Sequence, residues 1–202
     1  MTIFNGEPST TYSLFFAMNH VALTGPHPVC HKGGLRFHIR NVPGQAAGVY
    51  SGDGMSNNGE VRKRLESATY PDLGSMMEGY AQAAAEFARR EFKQKLDFTA
   101  ESIDALDDIL VLVGESPELD VDFEARLWGS YLGEVLRRRY AGGWEMTQYP
   151  GGMVAVPAVD VRGSRLFPLM KVYRRLTVGE EEDLRAFFAM VTERLGKPAQ
   201  VN

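Results

Sequence analysis

The sequence is poor in cysteine and in long apolar runs. Cys30 is the single cysteine among 202 residues, so no intramolecular disulfide can form and the disulfide-stabilised class of small secreted domains is excluded. A lone cysteine is typical of a reducing compartment, and we therefore expect a cytoplasmic protein. The longest apolar stretch, residues 14–23, is interrupted by Asn19 and His20 and is too short to span a bilayer.

The sequence also lacks an excess of charge of one sign. The 22 Lys and Arg residues oppose 26 Asp and Glu residues, and the net charge is −4. Without a basic excess we expect no binding to nucleic acid or to an anionic membrane surface through bulk charge. Residues 1–13 contain no Lys or Arg and include Glu7, so we expect no secretory signal at the N-terminus.

The pattern of the chain predicts an α+β fold with a change of character near residue 75. Residues 1–74 are rich in turn-forming residues, which indicates a strand- and loop-rich N-terminal region. Two stretches, 12–18 and 35–40, have the alternation of a half-buried strand. Residues 51–60 are polar and are predicted to form a loop. Residues 75–202 form the second predicted region, which is helical and contains a β-hairpin.

Within this second region, apolar residues recur at helical spacing in three successive stretches. The spacing predicts a helix over 75–95, a helix capped by Thr99 that ends at Gly114, and a helix capped by Asp122 that ends at Gly142 and Gly143. A small antiparallel sheet is then predicted from strands at 144–148 and 153–161. Two closing helices follow, the first beginning near Pro168 and the second ending at Gly196.

The stretch WGSYLGEVLRRR, residues 128–139, is followed by Gly142, Gly143 and Trp144. It resembles a widespread bacterial domain family of unknown function, in which a helix of the type GAYLGEVLR precedes GGxW, a hairpin and a Pro-led helix. The resemblance covers about residues 97–195, and Ser130 stands where alanine is more usual in the family. It implies a bacterial origin and a fold segment, and it implies no activity.

The physical reading of this motif favours packing over catalysis. Gly129 and Gly133 lie four residues apart on one side of a helix, where missing side chains allow another element to approach the backbone. Glu134 precedes Arg138 by four residues, the orientation that gives a helical ion pair. Trp144 is expected to begin a strand over the end of this helix. An ion pair is therefore favoured over a general-base role for Glu134.

The four histidines and the cysteine all lie within residues 20–38. His27, Cys30, His31 and His38 have the side chains that Zn²⁺ accepts, so the cluster defines a hypothetical zinc site. The spacing lacks a second regular ligand pair, and no carboxylate lies between Glu7 and Asp53. Exposed loop histidines and a small buried thiol are the favoured interpretation. Thiol catalysis by Cys30 is less favoured still, and no complete catalytic constellation or cofactor motif is present.

Charge is strongly segregated along the chain. Residues 97–125 contain ten Asp and Glu and no Lys or Arg, whereas residues 126–175 contain nine Lys and Arg against three acidic residues. The two blocks either neutralise each other within the fold, which we favour, or leave an exposed patch for a partner protein.

Two functional hypotheses follow from these observations. The first is a non-catalytic bacterial cytoplasmic protein that acts by protein-protein binding, as an accessory, immunity-like or regulatory partner. The second is a metal-dependent hydrolase that uses the cluster of His27, Cys30, His31 and His38. The absence of a complete catalytic constellation favours the first.

Overall fold

A computed structural model describes residues 56–196 of the chain, all within one compact unit, Ser51–Asn202. Six α-helices occupy most of this part: α1 Ser56–Ser67, α2 Leu73–Phe87, α3 Ser102–Gly114, α4 Val121–Tyr140, α5 Pro168–Val178 and α6 Leu184–Leu195. A π-helical turn, Ala88–Phe92, extends α2, and a 3₁₀ turn, Glu180–Glu182, connects α5 to α6.

Three strands form one antiparallel sheet in the order β1-β2-β3. They are β1 Gly143–Gln148, β2 Ala155–Val161 and β3 Ser164–Leu166. Trp144 pairs with Val159, and Val159 pairs with Leu166 on its other side. Directly opposed residues share a face of the sheet, so these three side chains lie on the face that belongs to the hydrophobic core. The predicted small antiparallel sheet is confirmed.

Helix α4 forms the centre of the core. It packs most extensively against α2 and α5, and its Leu127, Trp128, Tyr131, Leu132 and Leu136 are completely buried. The apolar residues whose helical spacing predicts this helix are thus buried on several sides of it. Together with the antiparallel sheet, the helices confirm the α+β class for the part of the chain that the structure describes.

Several local predictions are wrong. The polar stretch expected to be a loop becomes helix α1 from Ser56, because Val61 and Leu65 lie four residues apart and bury one helical face. The helix predicted over 75–95 ends earlier, because Lys93 adopts a left-handed conformation with φ 56°. The strands predicted at 12–18 and 35–40 lie outside the described residues, and the predicted boundary at residue 75 stays a prediction.

Two predicted helix caps are also wrong. Helix α3 begins at Ser102 after Glu101 and has no side-chain cap, although the backbone carbonyl of Thr99 accepts hydrogen bonds from Ser102. Helix α4 is capped by Asp120, whose carboxylate accepts a hydrogen bond from the backbone N–H of Phe123. The cap therefore lies two residues before the predicted Asp122.

Candidate functional site

The glycines of the α4 motif permit close packing against α5 and β1. A Cβ atom added at Gly129 would lie 2.6 Å from the Cα of Leu169 on α5, well inside van der Waals contact. A Cβ atom at Gly133 would overlap the ring of Trp144 and lie 3.0 Å from Cγ of Pro168. The close approach predicted from the glycine spacing is therefore confirmed, and it fixes α5 and β1 against one side of α4.

The carboxylate of Glu134 lies at the centre of this contact and is fully buried. It accepts hydrogen bonds from Nε of Arg137 at 2.7 Å, from Nε of Arg138 at 3.0 Å and from the indole Nε1 of Trp144 at 2.8 Å. Burial on its own would raise the pKa of Glu134, but the hydrogen bonds from Arg137 and Trp144 and the arginine charges hold this pKa below its ordinary value. Glu134 is therefore an ionised structural carboxylate, and the predicted Glu134–Arg138 ion pair is confirmed.

Part of the acidic block is neutralised within the fold. Asp107 on α3 is buried and accepts hydrogen bonds from Nε of Arg175 at 2.8 Å and from Nη1 of Arg185 at 2.9 Å. Arg185 also contacts Asp104 and Asp108. The expected neutralisation of acidic and basic residues within the fold thus holds for this part of α3. Of the two arginines that pair with Asp107, Arg175 belongs to the basic block, whereas Arg185 belongs to α6 and lies outside it.

A third buried carboxyl group lies between α1 and α4. Glu124 accepts a hydrogen bond from the indole Nε1 of Trp128 at 2.7 Å and another from the side-chain amide of Asn58. Burial raises the pKa of Glu124, and these two hydrogen bonds only partly oppose the shift. The Oδ1 atom of Asn58 is buried without a hydrogen-bond partner. This pair could not be predicted from the sequence, because the burial of Glu124 requires helix α1.

A cavity of about 490 Å³ opens between β3, α5 and α6. This volume lies within the range of about 300–1,000 Å³ that is typical of ligand sites. Its apolar lining includes the buried Val191 and a set of exposed or partly exposed side chains, namely Leu166, Phe167, Met170, Phe187, Met190 and Leu195. We call this surface the α5–α6 groove.

Four basic side chains also line the α5–α6 groove, namely Arg165, Lys171, Arg174 and Arg194. The single acidic residue in this lining is Glu182, which pairs with Nζ of Lys171 at 2.7 Å and with Nε of Arg174 at 2.8 Å. Arg194 makes no ion pair with another residue of the described range 56–196. The groove therefore combines an apolar surface with an excess of positive charge.

The groove escaped sequence analysis because its residues come from separate elements. Phe167 and Met170 lie at the start of α5, whereas Phe187 and Met190 belong to the last helix. The sequence signal that was available is the basic block of residues 126–175, which supplies Arg165, Lys171 and Arg174. That block predicts the charge of this surface but not the apolar residues that accompany it.

The predicted zinc ligands His27, Cys30, His31 and His38 lie outside the described residues. Within the described range, no group of three or more His, Cys, Asp or Glu side chains is arranged to hold a metal ion. No helix in this range has the length and apolar character needed to cross a membrane.

Comparison of the chain with protein-family models, with curated proteins and with solved structures gives no match.

Proposed function

We propose that this protein is a non-catalytic binding protein and that its α5–α6 groove receives an acidic, amphipathic helix of a partner protein. The observation that carries the proposal is the meeting of an apolar lining and four basic side chains in one concave surface. Amphipathic helices commonly bind in this way, with apolar side chains inserted into a hydrophobic groove.

The apolar side chains of the groove are suited to a protein partner. Met190 exposes 43% of its surface on α6, although methionine is usually buried. Methionine side chains are flexible and polarizable, so they adapt to the shape of a bound apolar side chain. Tyr149 and Phe167 also line the groove, and their aromatic rings meet edge to face with centroids 5.0 Å apart. Aromatic residues and methionine are both enriched at protein interfaces.

The charges of the groove favour an acidic partner. Glu182 balances only part of the positive charge of Lys171, Arg174 and Arg194, while Arg165 pairs with Glu145, which does not line the groove. Charge complementarity of this kind selects partners and accelerates their association. A helix that carries carboxylates beside its apolar stripe matches both properties of the surface.

The biological role that we propose is that of an accessory, immunity-like or regulatory protein of the bacterial cytoplasm. The cytoplasmic location rests on the single cysteine, Cys30. The alternative, a metal-dependent hydrolase, depends on His27, Cys30, His31 and His38, and stays a prediction from the sequence.

Fluorescence anisotropy with two labelled peptides tests the proposal. Each peptide has about 16 residues, enough for four helical turns, with leucines along one helical face. The first peptide carries glutamate at the remaining positions, and the second carries lysine. We expect the glutamate peptide to bind with a Kd of about 10 µM at low salt, and to bind more weakly as salt screens the charges.

Two results would overturn the proposal. The first is a glutamate peptide that does not bind, or that binds no more tightly than the lysine peptide. The second is self-association of the protein, measured by sedimentation velocity, that is lost on changing Met190 to Glu, because the occupant of the groove would then be a second copy of this chain.

A further inference from the structure

We infer that Lys171 and Arg174 form the carboxylate-recognition site of the α5–α6 groove and that Glu182 occupies this site until a carboxylate of the partner displaces it. This inference rests on the proposed function and adds its regulation: the protein carries its own competitor for the acidic ligand. The contact between Glu182 and the two cations is therefore autoinhibitory.

The geometry shows one carboxylate shared between two cations. Lys171 and Arg174 lie three residues apart, which places them on one face of α5. Nζ of Lys171 lies 2.7 Å from Oε2 of Glu182, while Nε and Nη2 of Arg174 both donate to Oε1. Both oxygens of Glu182 are thus engaged, and the arrangement is the one that an arriving carboxylate requires.

Lys171 and Glu182 lie against the apolar lining of the groove, whereas the side chain of Arg174 is half exposed. Nζ of Lys171 lies 5.5 Å from the ring centroid of Phe187, and the side chains of Lys171 and Glu182 are only 14% and 16% exposed. Phe187 and Met170 line the same groove. A ligand with an apolar body and a carboxylate can therefore occupy the apolar lining and the cation pair at once.

The segment that bears Glu182 is fixed at both ends. Glu182 belongs to the 3₁₀ turn Glu180–Glu182, which follows Gly179 with φ 103°. The next residue, Asp183, caps α6 by accepting a hydrogen bond from the N–H of Ala186 at 2.7 Å. The backbone N–H of Leu184 donates to the buried Asp107. Displacement of Glu182 thus requires only rotation of its side chain, and the fold stays intact.

An external carboxylate can bind only while Glu182 is displaced from the two cations. Its apparent affinity is therefore the intrinsic affinity multiplied by the fraction of molecules in which the site is free. Partly exposed ion pairs contribute modestly to stability, so the competition is expected to be moderate. Removing the charge of Glu182 should leave both cations available and strengthen ligand binding. A purely structural Glu182 would give the opposite result, because its loss would disturb the groove and weaken binding.

The chain provides a matched control for this experiment. Glu182→Gln removes one negative charge from the groove, and Glu181→Gln removes the same charge from the adjacent residue, which is exposed and does not line the groove. Glu182→Ala is the second variant for the case in which the glutamine variant folds poorly. Lys171→Met/Arg174→Met removes both cations while it retains much of the apolar side chains.

Two probes are titrated against each variant: the glutamate peptide, by anisotropy, and decanoate, a simple apolar carboxylate, by isothermal titration calorimetry. We expect Glu182→Gln to bind both probes about fivefold more tightly than the wild type, and Glu181→Gln to match the wild type. Combining Glu182→Gln with Lys171→Met/Arg174→Met should abolish the gain. Unchanged or weaker binding of decanoate by both Glu182 variants, or an equal gain in Glu181→Gln, would overturn the inference.

The two probes separate the inference from the proposed function. If Glu182→Gln binds decanoate more tightly and no variant binds the glutamate peptide, the carboxylate site is supported and the protein-binding function is wrong. If the glutamate peptide binds the wild type and both Glu182 variants equally, the binding function is supported and the autoinhibitory role of Glu182 is wrong.

Discussion

The indole nitrogen of Trp144 donates a hydrogen bond of 2.8 Å to Oε1 of Glu134, a fully buried carboxylate on α4. The ring of the same tryptophan covers Gly133, the residue before Glu134. Strand β1 is thereby attached to α4 through both the polar and the apolar part of one side chain. Because β3 belongs to the same sheet, this contact also positions Arg165 and Leu166, which line the α5–α6 groove.

Replacing Glu134 should destabilise the protein. We expect Glu134→Gln to lower the free energy of unfolding by about 2 kcal/mol, because it leaves Arg137 and Arg138 without their buried anion. The folded-state pKa of Glu134 is lowered, so its contribution is present above the unfolded pKa and is lost as pH falls through the folded pKa. Urea denaturation at neutral and acidic pH measures both effects.

Glu78→Gln is the control for this prediction, since Glu78 pairs with Arg138 while half of its side chain is exposed. Its effect should stay within about 0.5 kcal/mol. Equal losses in the two variants would show that the buried position of Glu134 has no special importance.

The close approach of α5 to α4 at Gly129 is the basis of a second prediction. Gly129→Ala should lower the free energy of unfolding by about 2 kcal/mol, because the new Cβ would lie 2.6 Å from the backbone of Leu169. Gly114→Ala is the matched control in α3, where the new Cβ finds no atom closer than 3.9 Å; it should stabilise the protein by about 0.5 kcal/mol. A Gly129→Ala variant as stable as the wild type would contradict the close approach.

The buried Glu124 predicts a pH effect of the opposite sign. Its folded-state pKa is raised, so the stability that it contributes is fully present below the unfolded pKa and is lost as pH rises through the folded pKa. Glu124→Gln carries no charge, and its amide can pair with the unpartnered Oδ1 of Asn58. We expect this variant to be more stable than the wild type by about 1 kcal/mol at pH 8.

Urea denaturation of the wild type and Glu124→Gln at pH 4 and pH 8 measures this effect. The advantage of the variant should shrink at pH 4, where the wild-type carboxyl is largely protonated. A variant that is less stable than the wild type at pH 8 would show that the charged form of Glu124 is favoured in the folded state.

The hydrolase alternative is tested by metal content. We expect protein purified without a histidine tag to contain zinc well below one equivalent per chain, as measured by inductively coupled plasma mass spectrometry. Stoichiometric zinc that is lost on changing His27 and His31 to Ala would favour the metal site, because both ligands would then be required. Zinc that persists in that variant would point to other ligands.

The sequence predicts those features that depend on local spacing. The pair Gly129 and Gly133, the Glu134–Arg138 ion pair and the antiparallel strands each involve residues that are close in the chain or are bounded by clear turn residues. Helix α1 escaped prediction because only Val61 and Leu65 mark its buried face, which is too few for a period to be recognised.

Tertiary structure determined the remaining features. Asp107 and Arg185 belong to charged stretches that could be solvated or paired, and only the packing of α3 against α6 shows that they meet. The α5–α6 groove likewise joins Met170 and Met190 from two helices. No pattern in one sequence distinguishes a methionine that lines a groove from one that fills a core.

The most direct test of the α5–α6 groove as a binding site compares two methionine variants in their affinity for the glutamate peptide. Met190→Glu places a negative charge in the α5–α6 groove, whereas Met153→Glu makes the same change at a residue that is 95% exposed and does not line the groove. We expect Met190→Glu to weaken binding about tenfold or more, and Met153→Glu to bind as the wild type does. Equal affinities of the two variants would contradict the assignment of the α5–α6 groove as the binding site.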